Sequence, residues 1–372
     1  MWEAAYHIAF PIIGLHSHKI EDIDTLVRLT LGEARFGVNH WQLSKEKHLY
    51  YKFKPYMPRS IINILKKLNS YKVKDDYGLT WPIEDRYVRF HWEVIRQLMI
   101  ISNQQSLRFR HFWPEGQKFA LVLTHDIETA TGQDFVRVVA DLEEKLGFRS
   151  SFNFVPDSYP LDYQLMKDLR KRGFEIGVHG LKHDGKLYLS KEGFLERAMK
   201  INGFLKEFEA VGFRSPLMHR NPDWMQVLEI EYDLSFFDTD PYEPINGGSM
   251  SIWPFTIGKF TELPYTLAQD STLGIVLGET TAELWLKKLN FIEENFGMAL
   301  VNTHPDYLKD EKILSIYSDF LLAVKEKGNY WHALPYQTAR WWRKRATMPL
   351  DKNSNDFRFG VVALENDRIL IK

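Results

Sequence analysis

Short apolar runs alternate with longer amphipathic segments from about residue 117 to residue 345 of the chain. The runs KFALVLT, RSSFNFV, FEIGVH, MALVNTH and YWHALP have the length and composition of buried strands. Between such runs, the segments QDFVRVVADLEEKLG and LDYQLMKDLRKRG carry apolar residues at helical spacing, and they end on Gly147 and Gly173. The pattern predicts roughly seven or eight successive strand–helix units.

This alternation indicates an α/β fold in which helices cover a parallel sheet. We predict a distorted (β/α) barrel of about seven strands. An open doubly wound sheet stays as the alternative, because periodicity does not decide whether a sheet closes. The tail FRFGVVALENDRILIK carries two alternating runs around Asn366-Asp367 and predicts a C-terminal β-hairpin packed on the barrel. The predicted division is an N-terminal region of unclear fold (1–115), the barrel (116–348) and the hairpin (349–372).

The N-terminal region, residues 1–115, lacks this alternation of apolar strands and amphipathic helices. It contains a basic, aromatic segment, Tyr50–Arg59, and a stretch with helical spacing, Ser60–Leu68, in which Ser60 is a candidate N-cap. The basic segment is compatible with two roles: a surface that contacts anionic lipid or a partner, and an ordered connector held by its prolines. Peripheral membrane contact therefore stays open at this point.

Composition excludes several classes of protein. The chain has 372 residues, of which 44% are hydrophobic, and this is enough for a sizeable core. Its net charge is −1, so no basic excess exists to hold a nucleic acid. Cysteine is absent, so any metal ion must be held by His, Asp or Glu. Glu3 and His7 interrupt the first apolar stretch, and no apolar run reaches the ~18 residues of a membrane span. We therefore expect a soluble, cytoplasmic protein.

Residues with catalytic chemistry follow the predicted strands. In a (β/α) barrel the C-terminal ends of the strands all face one mouth, so these residues are expected to meet there. Each is an acidic, basic or imidazole group just after an apolar run: Asp126 and Glu128 after LVLT, His179 and His183 after FEIGV, Arg214 after GF, Asp238 and Asp240 after SFF, and His304 after ALVNT.

Together these residues supply what a metal-dependent hydrolase needs, although each pair taken alone is better explained without a site, as a solvated loop or a helix cap. A carboxylate and two histidines are the three protein ligands of an open catalytic zinc site. Asp126 and Glu128 can divide the work, one binding a cation and the other moving protons. His179 and His183 are four positions apart and can reach one cation from a helical turn or a tight loop. The remaining groups are left for acid–base chemistry and orientation.

A rival histidine pair, His16 and His18, follows the apolar run FPIIGL and resembles the HxH motif of amidohydrolase barrels. Strand alternation would put both rings on one side. Such barrels begin their strand–helix rhythm at this motif, whereas here the rhythm begins about a hundred residues later. A polar turn is therefore the favoured interpretation.

The chain resembles the polysaccharide deacetylases of carbohydrate esterase family 4. The resemblance rests on LTHDIE, EIGVHGLKHDG, GFRSP and LVNTHPDY, which occur in the family's order. ELPYTLAQD, YWHALP and ALENDR are similar flanking segments, and the likeness runs from about Gln117 to the C-terminus. It implies a barrel that holds one divalent ion, zinc, and hydrolyses the N-acetyl group of a sugar.

The family's motifs imply roles for the matching residues. By this resemblance Glu128, His179 and His183 are the metal ligands. Asp126 resembles the base that deprotonates the attacking water. Arg214 resembles the arginine that orients this catalytic aspartate.

The same resemblance implies that the backbone N–H of Leu217 stabilises the oxyanion and that His304 protonates the leaving amine. Two features depart from the family pattern. The spaced Asp-Ile-Glu replaces two adjacent aspartates, and Leu217 stands where an aromatic residue is usual. The family's supporting aspartate has no clear counterpart, and Asp238 or Asp240 is the candidate that supports His304.

The sequence therefore predicts a metal-dependent hydrolase that removes the acetyl group from an N-acetylated sugar in a cell-surface glycan or its precursor. Two alternatives stay open. One is a non-catalytic glycan-binding or assembly protein that keeps the barrel, and the other is a hydrolase of another non-peptide C–N bond. The oligomeric state is not predicted.

Overall fold

In a computed structural model of the protein, residues 1–15, 18–43, 47, 53, 57–58, 61, 77–349, 359–366 and 368–371 are described. His16 of the rival histidine pair lies outside these residues. So do most of the basic segment Tyr50–Arg59 and all of the predicted helix Ser60–Leu68 except Ile61.

The described residues form helices and strands that follow the predicted rhythm. The strands are β1 Ser106–Arg110, β2 Phe119–Ile127, β3 Ser151–Phe154, β4 Glu175–His179, β5 Gly212–Arg214, β6 Tyr232–Asp233, β7 Phe255–Ile257, β8 Phe260–Glu262, β9 Met298–Thr303, β10 Tyr330–His332, β11 Phe359–Glu365 and β12 Arg368–Ile371. The helices are α1 Trp2–Ala9, α2 Ile23–Leu29, α3 Arg86–Ile101, α4 Ala130–Leu146, α5 Tyr163–Lys171, α6 Lys191–Glu207, α7 Pro222–Met225, α8 Glu283–Glu294, α9 Pro305–Leu308, α10 Glu311–Lys327 and α11 Pro335–Thr347.

The main sheet is parallel and curled around β2. β2 pairs with β3 and β10 on one edge and with β9 on the other, and the order then runs β3-β4-β5-β6-β8, with β7 antiparallel at the end. Beyond β8, the N–H groups of Thr266 and Leu267 each donate to the carbonyl of Leu300 in β9 at 3.2 Å. These bonds connect the β8 side of the sheet to β9. The predicted distorted (β/α) barrel is therefore confirmed, and the open sheet is wrong.

β2 has buried residues on both faces because it lies between two hydrophobic cores. Its odd positions, such as Leu121 and Leu123, pack towards the covering helices. Its even positions Ala120 and Val122 pack inside the barrel with Leu300 and neighbouring residues. A continuous apolar run is what a strand covered on both faces requires, and the period of two sends alternate residues to opposite sides.

The helix ends follow their local signals. Thr129 and Ser190 cap the starts of α4 and α6 by accepting from the N–H groups of Gly132 and Gly193. Gly147 ends α4 in the left-handed conformation at φ 90°. α6 ends at Glu207, five residues before β5 begins at Gly212.

The N-terminal region packs as helices against the barrel. α1 and α3 form a core with Met250, Ile252 and Trp253 from the loop that precedes β7. β1 pairs antiparallel with β11, which pairs with β12, so the predicted C-terminal hairpin joins a three-stranded sheet that includes a strand of the N-terminal region. In the described part of the chain, none of the helices combines the length and hydrophobicity that crossing a bilayer requires.

A buried ion pair fastens the N-terminal region to the barrel. The Arg220 guanidinium donates to both carboxylate oxygens of Glu33, at 2.7 and 2.5 Å, and the N–H of Gly248 donates to the same carboxylate at 2.6 Å. Burial would raise the pKa of Glu33, but the charge of Arg220 outweighs it, and the pKa falls from its ordinary 4.5 to about 2. This pair links residues 187 positions apart.

We expect Glu33→Gln to lower the free energy of unfolding by about 3–5 kcal/mol, because it leaves the Arg220 charge buried without a counterion. Because the pKa of Glu33 is lower in the folded protein, its ionised carboxylate contributes its full stabilisation above pH 4.5, and this contribution is lost as the pH falls towards 2. The difference in unfolding free energy between wild type and Glu33→Gln should therefore shrink in that range. Urea unfolding measures both effects. Glu21→Gln removes an exposed ion pair with Lys19 and should leave the stability close to that of wild type. Equal stability of wild type and Glu33→Gln at neutral pH would contradict the prediction.

Candidate active site

Four strands deliver polar side chains to one end of the barrel. Asp126 lies near the end of β2, His179 ends β4, Arg214 ends β5, and His304 directly follows β9. The parallel pairing of the strands fixes the positions of these residues along the strand direction. Asp126 is in register with Asn153, and His179 is in register with Arg214. The strand ends therefore meet as the sequence predicts.

Glu128, His179 and His183 form the candidate metal site. One ligand atom from each lies within 4.8 Å of the others. His183 Nε2 is 3.0 Å from Glu128 Oε1. Ligand atoms about 2.0–2.2 Å from one zinc ion lie up to about 4.4 Å apart, so this donor set fits a divalent ion after a small contraction. Glu128 and His183 follow their strands in loops and are partly exposed, which leaves an open side for water or substrate.

His179 is held in the tautomer that a ligand needs. Its Nδ1 lies 3.1 Å from the carbonyl oxygen of Arg214, to which it can only donate, so Nε2 keeps its lone pair for the site. Burial, partly offset by Asp126, lowers the pKa of His179 to about 4 and favours the neutral ring.

Asp126 is a buried carboxylate held by three donors. Oδ1 accepts from Arg214 Nη1 and from Asn153 Nδ2, both at 3.0 Å. Oδ2 accepts from Asn302 Nδ2 at 3.0 Å and lies 4.0 Å from Nε2 of His179. Burial would raise the pKa of Asp126, but the positive charge of Arg214 lowers it well below its usual value. The group is therefore an ionised acceptor beside the candidate metal ligands.

Arg214 is fully buried, and its guanidinium group donates hydrogen bonds to backbone and side-chain oxygens of neighbouring strands. Nε donates to the carbonyl of Leu234 and Nη2 to the hydroxyl of Thr124, both at 3.0 Å. Nη1 is shared between Asp126 and the side-chain oxygen of Asn302. The guanidinium thus fixes the orientation of Asp126, as the resemblance implies.

His304 lies beside the candidate metal ligands, with a carboxylate behind it. Its Nδ1 is 2.8 Å from Oδ1 of Asp270, and its backbone N–H donates to Oδ2 of the same residue at 2.7 Å. Nε2 points into the site, 4.0 Å from Asp126 Oδ2 and 3.8 Å from Glu128 Oε1. Burial would lower the pKa of His304, but Asp270, with Glu128 and Asp126, raises it to about 9. The ring is therefore protonated at neutral pH.

The expectation that Asp238 or Asp240 supports His304 is wrong. Asp238 instead pairs with Lys288, whose Nζ is 2.7 Å from Oδ2. Asp240 accepts from the hydroxyl of Tyr265 at 3.0 Å. Both residues follow β6, whereas Asp270 comes from the segment between β8 and α8, which lies beside β9 and so reaches His304.

Leu217 lies in the loop that follows Arg214. Its φ of 60° is left-handed, which is unusual for a leucine, and Met218 shares this conformation at 54°. The turn is closed by the N–H of Met218, which donates to the carbonyl of Ser215 at 3.2 Å. The role of the Leu217 N–H as an oxyanion donor stays a prediction.

Comparison with solved structures identifies the fold. A structure from Mycobacterium smegmatis named as a polysaccharide deacetylase matches with a TM-score of 0.53 and 18% identity, covering 67% of this chain and 98% of the other. A structure from Pseudomonas aeruginosa, also named as a polysaccharide deacetylase, matches at 0.52 and 15% identity, covering 64% and 96%. The chain has the polysaccharide deacetylase fold. A structure named Puue allantoinase matches at 0.51 and 14% identity, covering 65% and 95%. No family model and no curated protein sequence matches the chain.

Three polar residues of the site were not predicted. Asn153 and Asn302 are the amides that hold Asp126, and Asp270 is the carboxylate behind His304. Each has a visible signal in the sequence. The two asparagines interrupt the apolar runs SFNF and MALVNT, and Asp270 ends ELPYTLAQD, a segment that resembles the polysaccharide deacetylases.

Proposed function

We propose that this protein is a metal-dependent hydrolase that removes the acetyl group from an N-acetylated sugar in a cell-surface glycan or its precursor. One observation carries the proposal. The ligand atoms of Glu128, His179 and His183 cluster within 4.8 Å, with the ionised Asp126 and the protonated His304 next to them. Metal-dependent hydrolysis of an amide requires metal ligands, a proton acceptor and a proton donor at the same end of the barrel.

Asp126 and His304 supply the two proton transfers. A divalent ion held by the three ligands would lower the pKa of a water molecule and polarise the acyl oxygen. Asp126 accepts the proton of the attacking water through Oδ2, the oxygen that faces the site. An amine is a poor leaving group as an anion, so His304 donates its Nε2 proton to the departing nitrogen. Asp270 holds the other ring nitrogen and so keeps Nε2–H directed at the substrate.

The developing negative charge on the acyl oxygen needs a fixed donor. The N–H of Leu217 is our candidate, because the left-handed turn after Arg214 brings this loop beside the metal ligands' loop. A backbone donor costs no reorganisation during the reaction. This role matches the one implied by the resemblance.

Measuring acetate release tests the proposal. The substrates are acetylated sugar nucleotides and acetylated glycans, each assayed with and without added zinc. Release from at least one sugar, dependent on the metal, supports the function. Binding of a glycan without turnover would favour a non-catalytic glycan-binding protein. Allantoin belongs in the panel because an allantoinase shares the fold, and turnover of allantoin alone would favour a hydrolase of another C–N bond.

We expect the double variant His179→Ala/His183→Ala to lose bound zinc, because a single carboxylate ligand does not hold the ion. Wild type should carry one ion per chain, measured by elemental analysis after dialysis. His219→Ala removes a histidine close to the site that is not a predicted ligand, and it should keep the ion. If the double variant keeps stoichiometric zinc, the metal site lies elsewhere, and His16 and His18 become the leading candidates.

A further inference from the structure

The candidate ligand Glu128 is the single residue between a strand and a helix. β2 ends at Ile127, and Thr129 is the N-cap of α4. Its carboxylate must still meet the two histidines, and Oε1 already lies 3.0 Å from His183 Nε2. A long side chain in a connecting segment holds a metal ion well only when neighbouring groups fix that segment. Glu128 therefore depends on what holds the backbone on either side of it.

On the helix side, the backbone is held by Asp306, which follows the candidate acid His304 by two residues. The hydroxyl of Thr129 donates to Oδ1 of Asp306, and its oxygen accepts from the N–H of Gly132 at 3.1 Å. The Asp306 carboxylate covers the first turn of α4 so closely that a Cβ atom on Gly132 would lie 2.2 Å from Oδ2. Thr129 therefore does more than cap a helix, because it joins the segment of the candidate ligand to that of the candidate acid.

The short helix α9 gives Asp306 an ordered support. The carbonyl of His304 accepts from the N–H groups of Tyr307 and Leu308 at 2.8 and 3.0 Å. Leu308 is fully buried in the main core, and Asp306 is also buried. The bond from Thr129 to Asp306 therefore connects the Glu128 segment to a turn that is packed into the barrel.

On the strand side, the backbone is held by Tyr159 in the loop after β3. The Tyr159 hydroxyl donates to the carbonyl oxygen of Ile127 at 2.6 Å. The hydroxyl oxygen in turn accepts from the N–H of Val155 at 3.4 Å. The Ile127 carbonyl belongs to the peptide group that joins Ile127 to Glu128, so this bond acts directly on the backbone of the candidate ligand.

The loop that carries Tyr159 also contacts the segment of the candidate ligand His183. The N–H of Asp157 donates to the carbonyl of Leu181 at 3.0 Å. The N–H of His183 donates to Ser158 Oγ at 3.4 Å. The loop after β3 thus touches the segments of both candidate ligands that lie outside the strands.

We propose that Tyr159 and the Thr129–Asp306 pair are positioning residues of the metal centre, which fix the backbone on both sides of Glu128 so that its carboxylate meets the two histidines. The inference rests on the metal site of the proposed function and goes beyond it, since none of the three residues is a candidate ligand. Residues that orient metal ligands typically account for about 10–100-fold in metal affinity.

Zinc affinity tests the proposal, measured on the metal-free protein by competition with a chelator of known affinity. Tyr159→Phe removes the bond to Ile127, and Thr129→Ala removes the bond to Asp306. Each should raise the Kd for zinc by about tenfold. Thr129→Ser keeps a hydroxyl and should restore the affinity of wild type. Thr129 is exposed and Tyr159 is half-buried, so both variants should fold, and thermal unfolding checks this.

Two control variants separate positioning from a general loss of stability. Asp22→Ala removes the N-cap of α2, in the N-terminal region, where the Asp22 carboxylate accepts from the N–H of Thr25 at 2.7 Å. It should lower the unfolding temperature as the loss of the Thr129 cap does, but it should keep the zinc affinity of wild type. Tyr163→Phe removes the hydroxyl of an exposed tyrosine and should also bind zinc as wild type does.

Acetate release from the same preparations distinguishes this inference from the proposed function. If Tyr159→Phe and Thr129→Ala weaken zinc binding but no sugar is deacetylated by wild type, the positioning role stands and the proposed function fails. If wild type releases acetate and both variants bind zinc as tightly as it does, the function stands and the positioning role is overturned. Equal weakening in Asp22→Ala also overturns it, because lost stability would then explain the effect. A wild type that binds no zinc overturns both proposals.

Discussion

Asp126→Asn is expected to reduce acetate release by about 10²–10⁴-fold while the zinc content stays at one ion per chain. The amide cannot accept the proton of the attacking water. The candidate metal ligands Glu128, His179 and His183 are untouched. If the new side-chain oxygen keeps the bonds from Arg214 and Asn153, its NH₂ group faces the amide donor of Asn302, so the local network is also disturbed.

Zinc content and turnover must therefore be measured on the same preparation, with thermal unfolding as the check on folding. Glu128→Gln is the matched control, because it makes the same chemical change two residues away. It should lose metal together with activity. Loss of zinc in Asp126→Asn, with zinc kept in Glu128→Gln, would show that the two carboxylates have the opposite roles.

The strand ends that carry the site could be predicted because β2 shows its alternation in the sequence. Thr124 and Asp126 are two apart and both contact Arg214. His125 between them points to the other face of β2, where its Nε2 meets Glu143 of α4 at 2.7 Å. The alternation of side chains along a strand therefore places Asp126 in the site and His125 on the opposite face of β2. Two histidines and a carboxylate at or just after strand ends are enough to predict a metal site from the sequence.

The supporting residues could not be predicted from periodicity alone. Asp270 lies in an irregular segment whose position depends on the bonds from Thr266 and Leu267 to β9. Asp238 and Asp240 end an apolar run and so looked equivalent, but nothing in the sequence gives the path of the chain after β8. Asn302 lies within the predicted strand MALVNT, and its partner Asp126 is 176 positions away.

The N-terminal region was the least predictable part for the same physical reason. Its helices α1 and α2 are short, and the apolar residues of the region find partners in loops of the barrel, such as Met250 and Trp253. The Glu33–Arg220 pair joins two residues that carry no local motif. Contacts between residues far apart in the chain produce no periodic pattern of apolar residues in the sequence. In a barrel strand, by contrast, successive side chains must point to alternate faces.

His304→Ala should discriminate between substrates by their leaving group. On an N-acetyl sugar the loss should be about 10²–10⁴-fold, since the amine cannot leave without a proton. On an aryl acetate it should be much smaller, because a phenol leaves as the anion with little help. The comparison uses one enzyme preparation and one metal content, so a general loss of folding would affect both substrates equally.

The pH profile adds a second readout of the same residue. His304 must be protonated to act, so wild-type activity on the amide should fall as the pH rises through its pKa, which Asp270 raises to about 9. Asp270→Asn removes that carboxylate, lowers the pKa and should move the alkaline limb to lower pH. A bound cation acts in the same direction in both proteins, so the shift between them reports on Asp270. Equal losses on amide and ester in His304→Ala, together with an alkaline limb that Asp270→Asn does not move, would remove His304 from the role of general acid.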